Sequence, residues 1–242
     1  VLASLMSYLF IKQESGLKAE FALGHSLGEF SALAAQGGFE LVKALELVNF
    51  RGKFMQEDCA QVPAGMMVVL GLEDSVVEDI CKEAQSKGKQ IYAANYNCDG
   101  QIVVAGLKPD LSEFEALFKE KGAKRAMLLN MSVASHCPLL KNASARLGEL
   151  LESALNENFA PVISNVSAKP YTSKSEALNL LKEQLIKPVL YKQSIANSQD
   201  SVDCFVEFGA SVLAGLNKKI TPKPTYAISS LADAKEFLKV VK

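Results

Sequence analysis

One short segment constrains this chain more than any other, the sequence GHSLG at 24–28. It directly follows a predicted strand at 20–23 and directly opens a predicted helix. A G-x-S-x-G pattern in that context is typical of a sharp strand-to-helix turn that lifts the serine clear of a sheet. The glycines on either side let the backbone bend without Cβ clashes. The segment therefore predicts an α/β layer with the Ser26 hydroxyl exposed at its edge.

Ser26 is a candidate nucleophile because of where that turn places it. It sits at a helix N-terminus, where the N–H of Leu27 has no partner inside the helix and is positioned to stabilise an oxyanion. A simpler alternative is that Ser26 only caps the helix through its side chain.

The remaining pattern predicts two interleaved units. In 1–64 and 132–242, strands alternate with helices, which indicates a large α/β unit with a hydrolase-like, mostly parallel sheet flanked by helices. Between them, 65–131 follows the order β-α-β-β-α-β, which predicts an inserted ferredoxin-like subdomain. Because the chain opens on Val1, inside an apolar helix, we expect that part of the natural N-terminus is missing.

Composition excludes several classes of protein. The 26 Lys and Arg nearly balance 27 Asp and Glu over 242 residues, so no global field attracts nucleic acid or anionic lipid. The apolar opening stretch at 1–11 is too short to span a bilayer. Five cysteines with no C-x-x-C pair argue against a disulfide framework or a zinc site. We therefore expect a cytoplasmic protein that uses no metal and does not bind membranes.

A serine nucleophile needs a base, and only two histidines are present. His25 adjoins Ser26 on the strand, where neighbouring side chains point to opposite faces. His136 therefore remains as the candidate base. It lies just before a predicted helix that starts at Pro138, and the positive end of that helix would disfavour the imidazolium form. The alternative is a buried structural histidine. No carboxylate is well placed as a third member, so we predict a Ser26–His136 dyad whose ring is oriented by a backbone or amide oxygen.

Arg51 is a candidate for binding an acidic group. It lies in the same helical row as Leu47 and Met55, beside an apolar stripe. A guanidinium held there could pair in a bidentate way with a carboxylate of the substrate. From position alone, an arginine that extends to solvent is an equal alternative.

Together these motifs resemble the malonyl-CoA:acyl carrier protein transacylases of bacterial fatty-acid synthesis. The resemblance covers nearly the whole chain, in order and at compatible spacing. It rests on GHSLGEFSAL at 24–33, RGKFMQ at 51–56, ANYNCDGQIVVAG at 94–106, GAKRAMLLNMSVASHC at 122–137 and L-x-x-Q-L-x-x-P at 181–188.

The resemblance implies a ping-pong transfer of malonyl from coenzyme A to the phosphopantetheine thiol of acyl carrier protein, through an acyl group on Ser26. It implies that Arg51 holds the malonyl carboxylate and that the main-chain carbonyl of Gln184 orients His136. The expected partners are the carrier protein and the coenzyme A thioester, with no cofactor, and we expect a monomer.

One departure from the family leaves alternatives open. The family has a Gly-Gln-rich loop near its N-terminus that supplies a second oxyanion donor, and nothing here matches it. Loss of such a donor costs about 10²- to 10³-fold in rate. An inactive fragment that only binds carrier protein is therefore kept as an alternative. A serine esterase or thioesterase is a second alternative, because it would use the same Ser26 and His136 but would not need a cation such as Arg51. Ser135 stands where acyltransferases differ in acyl preference, so the choice between malonyl and methylmalonyl stays open.

Overall fold

The computed structural model describes residues 1–241, which form an α/β protein. The α-helices, in chain order, are α1 (Leu2–Ser15), α2 (Leu27–Ala35), α3 (Leu41–Cys59), α4 (Asp74–Ser86), α5 (Lys108–Glu120), α6 (Lys141–Ala154), α7 (Lys174–Ile186), α8 (Tyr191–Ser198), α9 (Leu213–Asn217) and α10 (Leu231–Val241). The strands are β1 (Ala64–Leu70), β2 (Ile91–Cys98), β3 (Gln101–Leu107), β4 (Arg125–Leu128), β5 (Asn158–Ile163), β6 (Pro170–Ser173), β7 (Phe205–Phe208) and β8 (Thr225–Ile228). Short 3₁₀ turns cover Pro138–Leu140 and Gln199–Ser201.

The largest sheet has the order β2-β3-β1-β4, and every neighbouring pair is antiparallel. Successive side chains of a strand point to opposite faces. Met67 and Val69 therefore pack with α4 and α5 in one buried cluster. Met66, on the other face, joins the main core together with residues of α2, α3, α6 and α7. The sheet thus has its own core on one side and supports the rest of the chain on the other.

The mostly parallel sheet that the sequence predicts is not present as one ladder. β5 pairs with β6 antiparallel, β7 pairs with β8 parallel, and the predicted strand at 20–23 makes only a parallel bridge between Ala22 and Val162. Ala22 donates to the Pro161 carbonyl and accepts from Ile163. The ladder cannot extend backwards because Pro161 has no N–H to donate. At its other end the chain turns away at Gly24.

Several boundaries also differ from the predicted ones. Within 132–242 the apolar pattern predicts a helix at 138–155 and a strand at 162–167. In the structure a 3₁₀ turn precedes α6, and the strand lies earlier, at Asn158–Ile163. The elements β6, β8 and α10 were not predicted. β6 has only four residues and begins with a proline, so its pairing depends on β5 and not on a local pattern.

A backbone bridge and a charged cluster join the large sheet to the following segment. Tyr96 of β2 donates to the Val189 carbonyl, and Val189 donates to Ala94, both at 2.9 Å. Nearby, the ammonium of Lys192 on α8 pairs with Asp74 on α4 and with Asp99 in the β2–β3 turn. These contacts hold the four-stranded sheet beside the elements that carry the candidate site.

No helix within 1–241 is both long and apolar enough to cross a membrane. The same residues contain no group of three or more His, Cys, Asp or Glu side chains that could hold a metal ion. All five cysteines are free thiols, and four of them are buried.

Candidate active site

The turn before α2 is as sharp as the G-x-S-x-G pattern predicts. Ser26 has φ 54°, a backbone conformation that is strained for a residue with a Cβ. A Cβ on Gly24 would lie 2.0 Å from the carbonyl carbon of Gly28, so position 24 requires glycine. A Cβ on Gly28 would meet nothing within 4 Å. The expectation that both glycines relieve clashes is therefore correct for Gly24 and wrong for Gly28, whose own Cβ position faces open space.

The hydroxyl of Ser26 lies between a histidine and an arginine. Its Oγ is 2.7 Å from Nε2 of His136 and 2.9 Å from Nη2 of Arg51. The side chain makes no capping hydrogen bond to α2, so the capping alternative is wrong. Residues 110 positions apart in the sequence thus meet at one oxygen atom.

The hydrogen bonds of His136 define its tautomer. Nδ1 lies 2.6 Å from the main-chain carbonyl oxygen of Gln184, which can only accept, so Nδ1 carries the proton. Nε2 is then free to accept from the Ser26 hydroxyl. The ring contact with Gln184 is the one that the resemblance implied.

Burial, followed by the charge of Arg51, lowers the pKa of His136 to about 3. The imidazole is therefore neutral at physiological pH, and burial is the largest cause of the lowered pKa, with the positive charge of Arg51 next. The residue also does not end a strand. It lies in the irregular segment between β4 and the turn at Pro138–Leu140, with φ 61°.

Arg51 is buried, with 5% of its surface exposed, so the alternative of a side chain extended to solvent is wrong. Burial lowers the pKa of Arg51 to about 10, which leaves it charged at neutral pH. Its Nη2 also donates to Oε1 of Gln184 at 3.3 Å. Its Nε is buried without a partner among the residues described. A buried N–H without an acceptor is costly, so this guanidinium has spare capacity for an anionic ligand beside Ser26.

The remaining predicted donor is the N–H of Leu27. Leu27 is the first residue of α2, and its N–H makes no hydrogen bond with another residue of 1–241. It follows Ser26 directly, in the position that an oxyanion donor requires.

Sequence reasoning missed a polar cluster beneath the turn. Glu29 is fully buried and accepts hydrogen bonds from Tyr171, Gln184 and Asn165. The spacing Ser26-x-x-Glu29 matches a capping box, which would send the Glu29 side chain back to the N–H of Ser26. Asn165 Oδ1 accepts from that N–H instead, at 2.7 Å. The sequence signal for an inward-facing Glu29 is weak: Phe30 and Leu33 on the same short helix are apolar, and the structure buries both.

His25, the histidine set aside by the sequence argument, points away from the Ser26 hydroxyl. Its Nε2 lies 2.8 Å from Oδ1 of Asn97, and its ring packs against Tyr191. This placement agrees with the expected alternation of side chains along the chain.

The chain belongs to the acyl transferase domain family, whose model matches residues 6–220. Among the members it resembles are curated proteins named malonyl CoA-acyl carrier protein transacylase. That of Haemophilus influenzae is 39% identical over 207 residues, which is 84% of this chain and 66% of that protein. That of Bacillus subtilis is 39% identical over 224 residues, 90% of this chain and 70% of that protein. The chain thus spans about two thirds of the length of these relatives.

Solved structures give the same result. The malonyl-CoA:acyl carrier protein transacylase of Helicobacter pylori superposes with a TM-score of 0.95 at 42% identity, over 99% of this chain and 77% of that one. A type II PKS acyl-carrier protein in complex with its malonyl-transacylase gives 0.92 at 34% identity, over 99% and 79%. The family resemblance found in the sequence is confirmed.

Proposed function

We propose that this chain carries the acyltransferase that moves a malonyl group from coenzyme A to the phosphopantetheine thiol of acyl carrier protein. The observation that carries the proposal is the position of the Ser26 hydroxyl between the neutral imidazole of His136 and the buried cation of Arg51. The names of the relatives support the choice of malonyl and carrier protein as substrates.

In the first half-reaction, Ser26 Oγ attacks the malonyl thioester carbonyl while Nε2 of His136 takes the hydroxyl proton. The N–H of Leu27 stabilises the developing oxyanion. The carbonyl of Gln184 stabilises the imidazolium that forms, because Nδ1–H already donates to it. His136 then returns the proton to the departing thiolate of coenzyme A.

In the second half-reaction the thiol of the carrier protein attacks the malonyl ester of Ser26. His136 takes the thiol proton and returns it to Ser26 Oγ as the ester bond breaks. The same dyad therefore acts as base and acid in both directions, with no cofactor.

Arg51 gives the site its preference for an acidic acyl group. Its Nη2 donates to Ser26 Oγ in the free protein, and its Nε has no partner. A malonyl carboxylate could take both donors and would hold the thioester beside the nucleophile. A serine esterase or thioesterase acting on neutral acyl groups has no use for such a cation, and a protein that only binds its carrier has no use for the assembled dyad.

The finer organisation is part of the proposal. We divide the chain into a large acyltransferase unit, 1–64 and 132–242, with a hydrolase-like arrangement, and a ferredoxin-like subdomain at 65–131. The strand order β2-β3-β1-β4 and the separate core of the sheet support the division.

A monomer in a reducing cytoplasm, without nucleic acid or membrane partners, stays a prediction. The free thiols support the reducing compartment.

Intact-protein mass spectrometry after mixing with malonyl-CoA tests the function directly. We expect the mass of one malonyl group added to the protein, absent in Ser26→Ala and removed by carrier protein bearing phosphopantetheine. Rapid hydrolysis of the acyl group with no transfer to the thiol would establish an esterase instead. If no acyl group forms on Ser26, the alternative of a fragment that only binds carrier protein is favoured.

A further inference from the structure

The mechanism above gives no role to Glu29, although it is a fully buried acid one helical turn after Ser26. Each oxygen of its carboxylate faces donors. Oε1 accepts from the Tyr171 hydroxyl at 3.0 Å, and Oε2 accepts from Gln184 Nε2 at 2.6 Å and from the Asn165 N–H at 3.2 Å. Such a partner set suits an ionised carboxylate, which only accepts.

Gln184 connects Glu29 to the dyad and to Arg51. Its Nε2 donates to Glu29 and also to the Ser26 carbonyl at 3.0 Å. With the amide nitrogen held this way, Oε1 must face Arg51 and accept from its Nη2. The main-chain carbonyl of the same residue accepts from His136. One residue thus fixes the base and the cation, and Glu29 fixes which way its amide points.

Asn165 connects Glu29 to the strained turn. Its Oδ1 accepts from the Ser26 N–H at 2.7 Å, and its Nδ2 donates to the Gly24 carbonyl at 2.6 Å. The side chain therefore joins the two arms of the turn and supports the positive φ of Ser26. Its own main-chain N–H is held by Glu29.

We propose that the ionised carboxylate of Glu29 is the positioning group of this site, acting through Gln184 and Asn165. It balances the charge of Arg51 from behind Gln184 without forming a direct ion pair, so the guanidinium keeps its donors for the substrate. The inference deepens the proposed function and rests on it for the identity of that substrate.

The ionisation of Glu29 predicts a pH dependence. The titratable groups around it are Arg51 on α3 and Tyr171 on β6, while Gln184 and Asn165 do not titrate. The pKa of Arg51 is about 10 and burial holds that of Tyr171 well above 10, so both stay protonated at neutral pH. Burial raises the pKa of Glu29 to about 7, whereas that of His136 is about 3. We therefore expect protonation of Glu29 to lower the activity as the pH falls through 7.

The test measures the reactivity of Ser26 with a phosphonofluoridate probe, which needs no malonyl-CoA. Ser26 Oγ forms the P–O bond, the P–F bond breaks, fluoride leaves and the hydroxyl proton passes to His136. Labelling rates are read by intact mass from pH 5.5 to 8.5 for the full chain, for Glu29→Gln, and for Glu46→Gln. Glu46 is an exposed glutamate on α3 and serves as the matched control.

For the unchanged chain and for Glu46→Gln, we expect the rate to fall by up to about ten-fold per pH unit below pH 7 and to level off near the rate of Glu29→Gln. Glu29→Gln should react about 10- to 100-fold more slowly at pH 8, and its rate should not change between pH 6 and 8. Its melting temperature at pH 8 should fall, because the buried charge of Arg51 loses its counter-charge and an amide nitrogen stands among hydrogen-bond donors. A purely structural role predicts the same lower melting temperature but leaves the fall of the labelling rate at acid pH in place, so the pH profile separates the two roles.

Tyr171→Phe keeps the carboxylate and tests the same point if Glu29→Gln does not fold. It removes a hydrogen bond that lowers the pKa of Glu29. The fall of the labelling rate at acid pH (the acid limb) should therefore begin at a higher pH. An unchanged acid limb in both variants, or a Ser26 that no probe labels, would overturn the inference. Acylation by malonyl-CoA is measured in parallel. Its absence, with the probe results as expected, would refute the proposed function and leave the positioning role intact.

Discussion

At the residue scale, the site depends on how few groups contact the Ser26 hydroxyl. One oxygen atom receives the hydrogen-bond contacts of His136 and Arg51, and both of those side chains are buried. In the proposed mechanism each contact has a separate task, proton transfer for the imidazole and charge recognition for the guanidinium. Single substitutions should therefore separate rate from selectivity.

His136→Ala removes the side chain that, among residues 1–241, is positioned to take the serine proton. We expect the formation of acyl-Ser26 to slow by about 10²- to 10⁴-fold, measured by rapid quench and intact mass. His25→Ala is the control, because that ring faces Asn97 and not the hydroxyl, and it should stay within about ten-fold of the unchanged chain. Full acylation by His136→Ala would show that another group acts as base.

Arg51→Ala should affect selectivity more than basic reactivity. Charge-assisted hydrogen bonds contribute roughly 1.5–3 kcal/mol, so the preference for malonyl-CoA over acetyl-CoA in kcat/KM should fall by about 10- to 150-fold. The phosphonofluoridate probe, which has no carboxylate, should report a smaller change. Lys53→Ala, an exposed cation on the same helix, should leave the ratio unchanged. Equal losses for both thioesters would contradict carboxylate recognition by Arg51.

At the scale of elements, the turn between Ala22 and α2 depends on one close backbone approach. Gly24 lies against the first turn of α2, whereas Gly28, on that turn, faces open space. The two glycines of one motif therefore have different physical roles, which their symmetric spacing in the sequence does not reveal.

Alanine at each glycine tests this difference through urea unfolding. Gly24→Ala should lower the free energy of unfolding by about 1–3 kcal/mol or more, because the new Cβ overlaps backbone that cannot move cheaply. Gly28→Ala should raise it by up to about 0.5–1 kcal/mol, since alanine is the better helix former and meets no neighbour. Similar destabilisation by both would show that α2 is packed more closely at Gly28 than the structure indicates.

At the scale of the whole molecule, the candidate site depends on contacts between the four-stranded sheet and the segments that follow it. The bridge to Val189 and the pairing of Lys192 with Asp74 and Asp99 join the sheet to the stretch just after α7, the helix that carries Gln184. Val189 and Lys192 follow Gln184 by five and eight residues, so these contacts lie close in sequence to the candidate site.

Lys192→Ala should lower the free energy of unfolding by about 1 kcal/mol, at the upper end for pairs near a surface, because its ammonium is largely shielded and meets two carboxylates. Lys82→Ala removes an i,i+3 pair that is about 70% exposed, and should cost less than about 0.5 kcal/mol. Urea unfolding at low salt measures both losses of stability. Added salt should narrow the difference between the two variants. Identical losses would mean that Lys192 does not join the two parts.

The sequence by itself determined the features of this protein that depend on residues close together in the chain. The sharp turn at Ser26 with the helix after it, the buried row that carries Arg51 and most helices follow from glycine placement and from apolar periodicity. The assignment of His136 followed from elimination, since only two histidines exist. The carbonyl of Gln184 came from the family resemblance, because any residue can offer a backbone oxygen.

Tertiary structure alone decided the features that need distant segments to meet. Pro161 limited the predicted strand at 20–23 to a single bridge, and β6 exists only because β5 lies beside it. Glu29 stands at capping-box spacing from Ser26, but its carboxylate contacts Tyr171, Gln184 and Asn165, each more than 130 positions away. Hydrogen-bond partners in a buried site are chosen by the packing of the whole chain, and a local pattern carries no record of that choice.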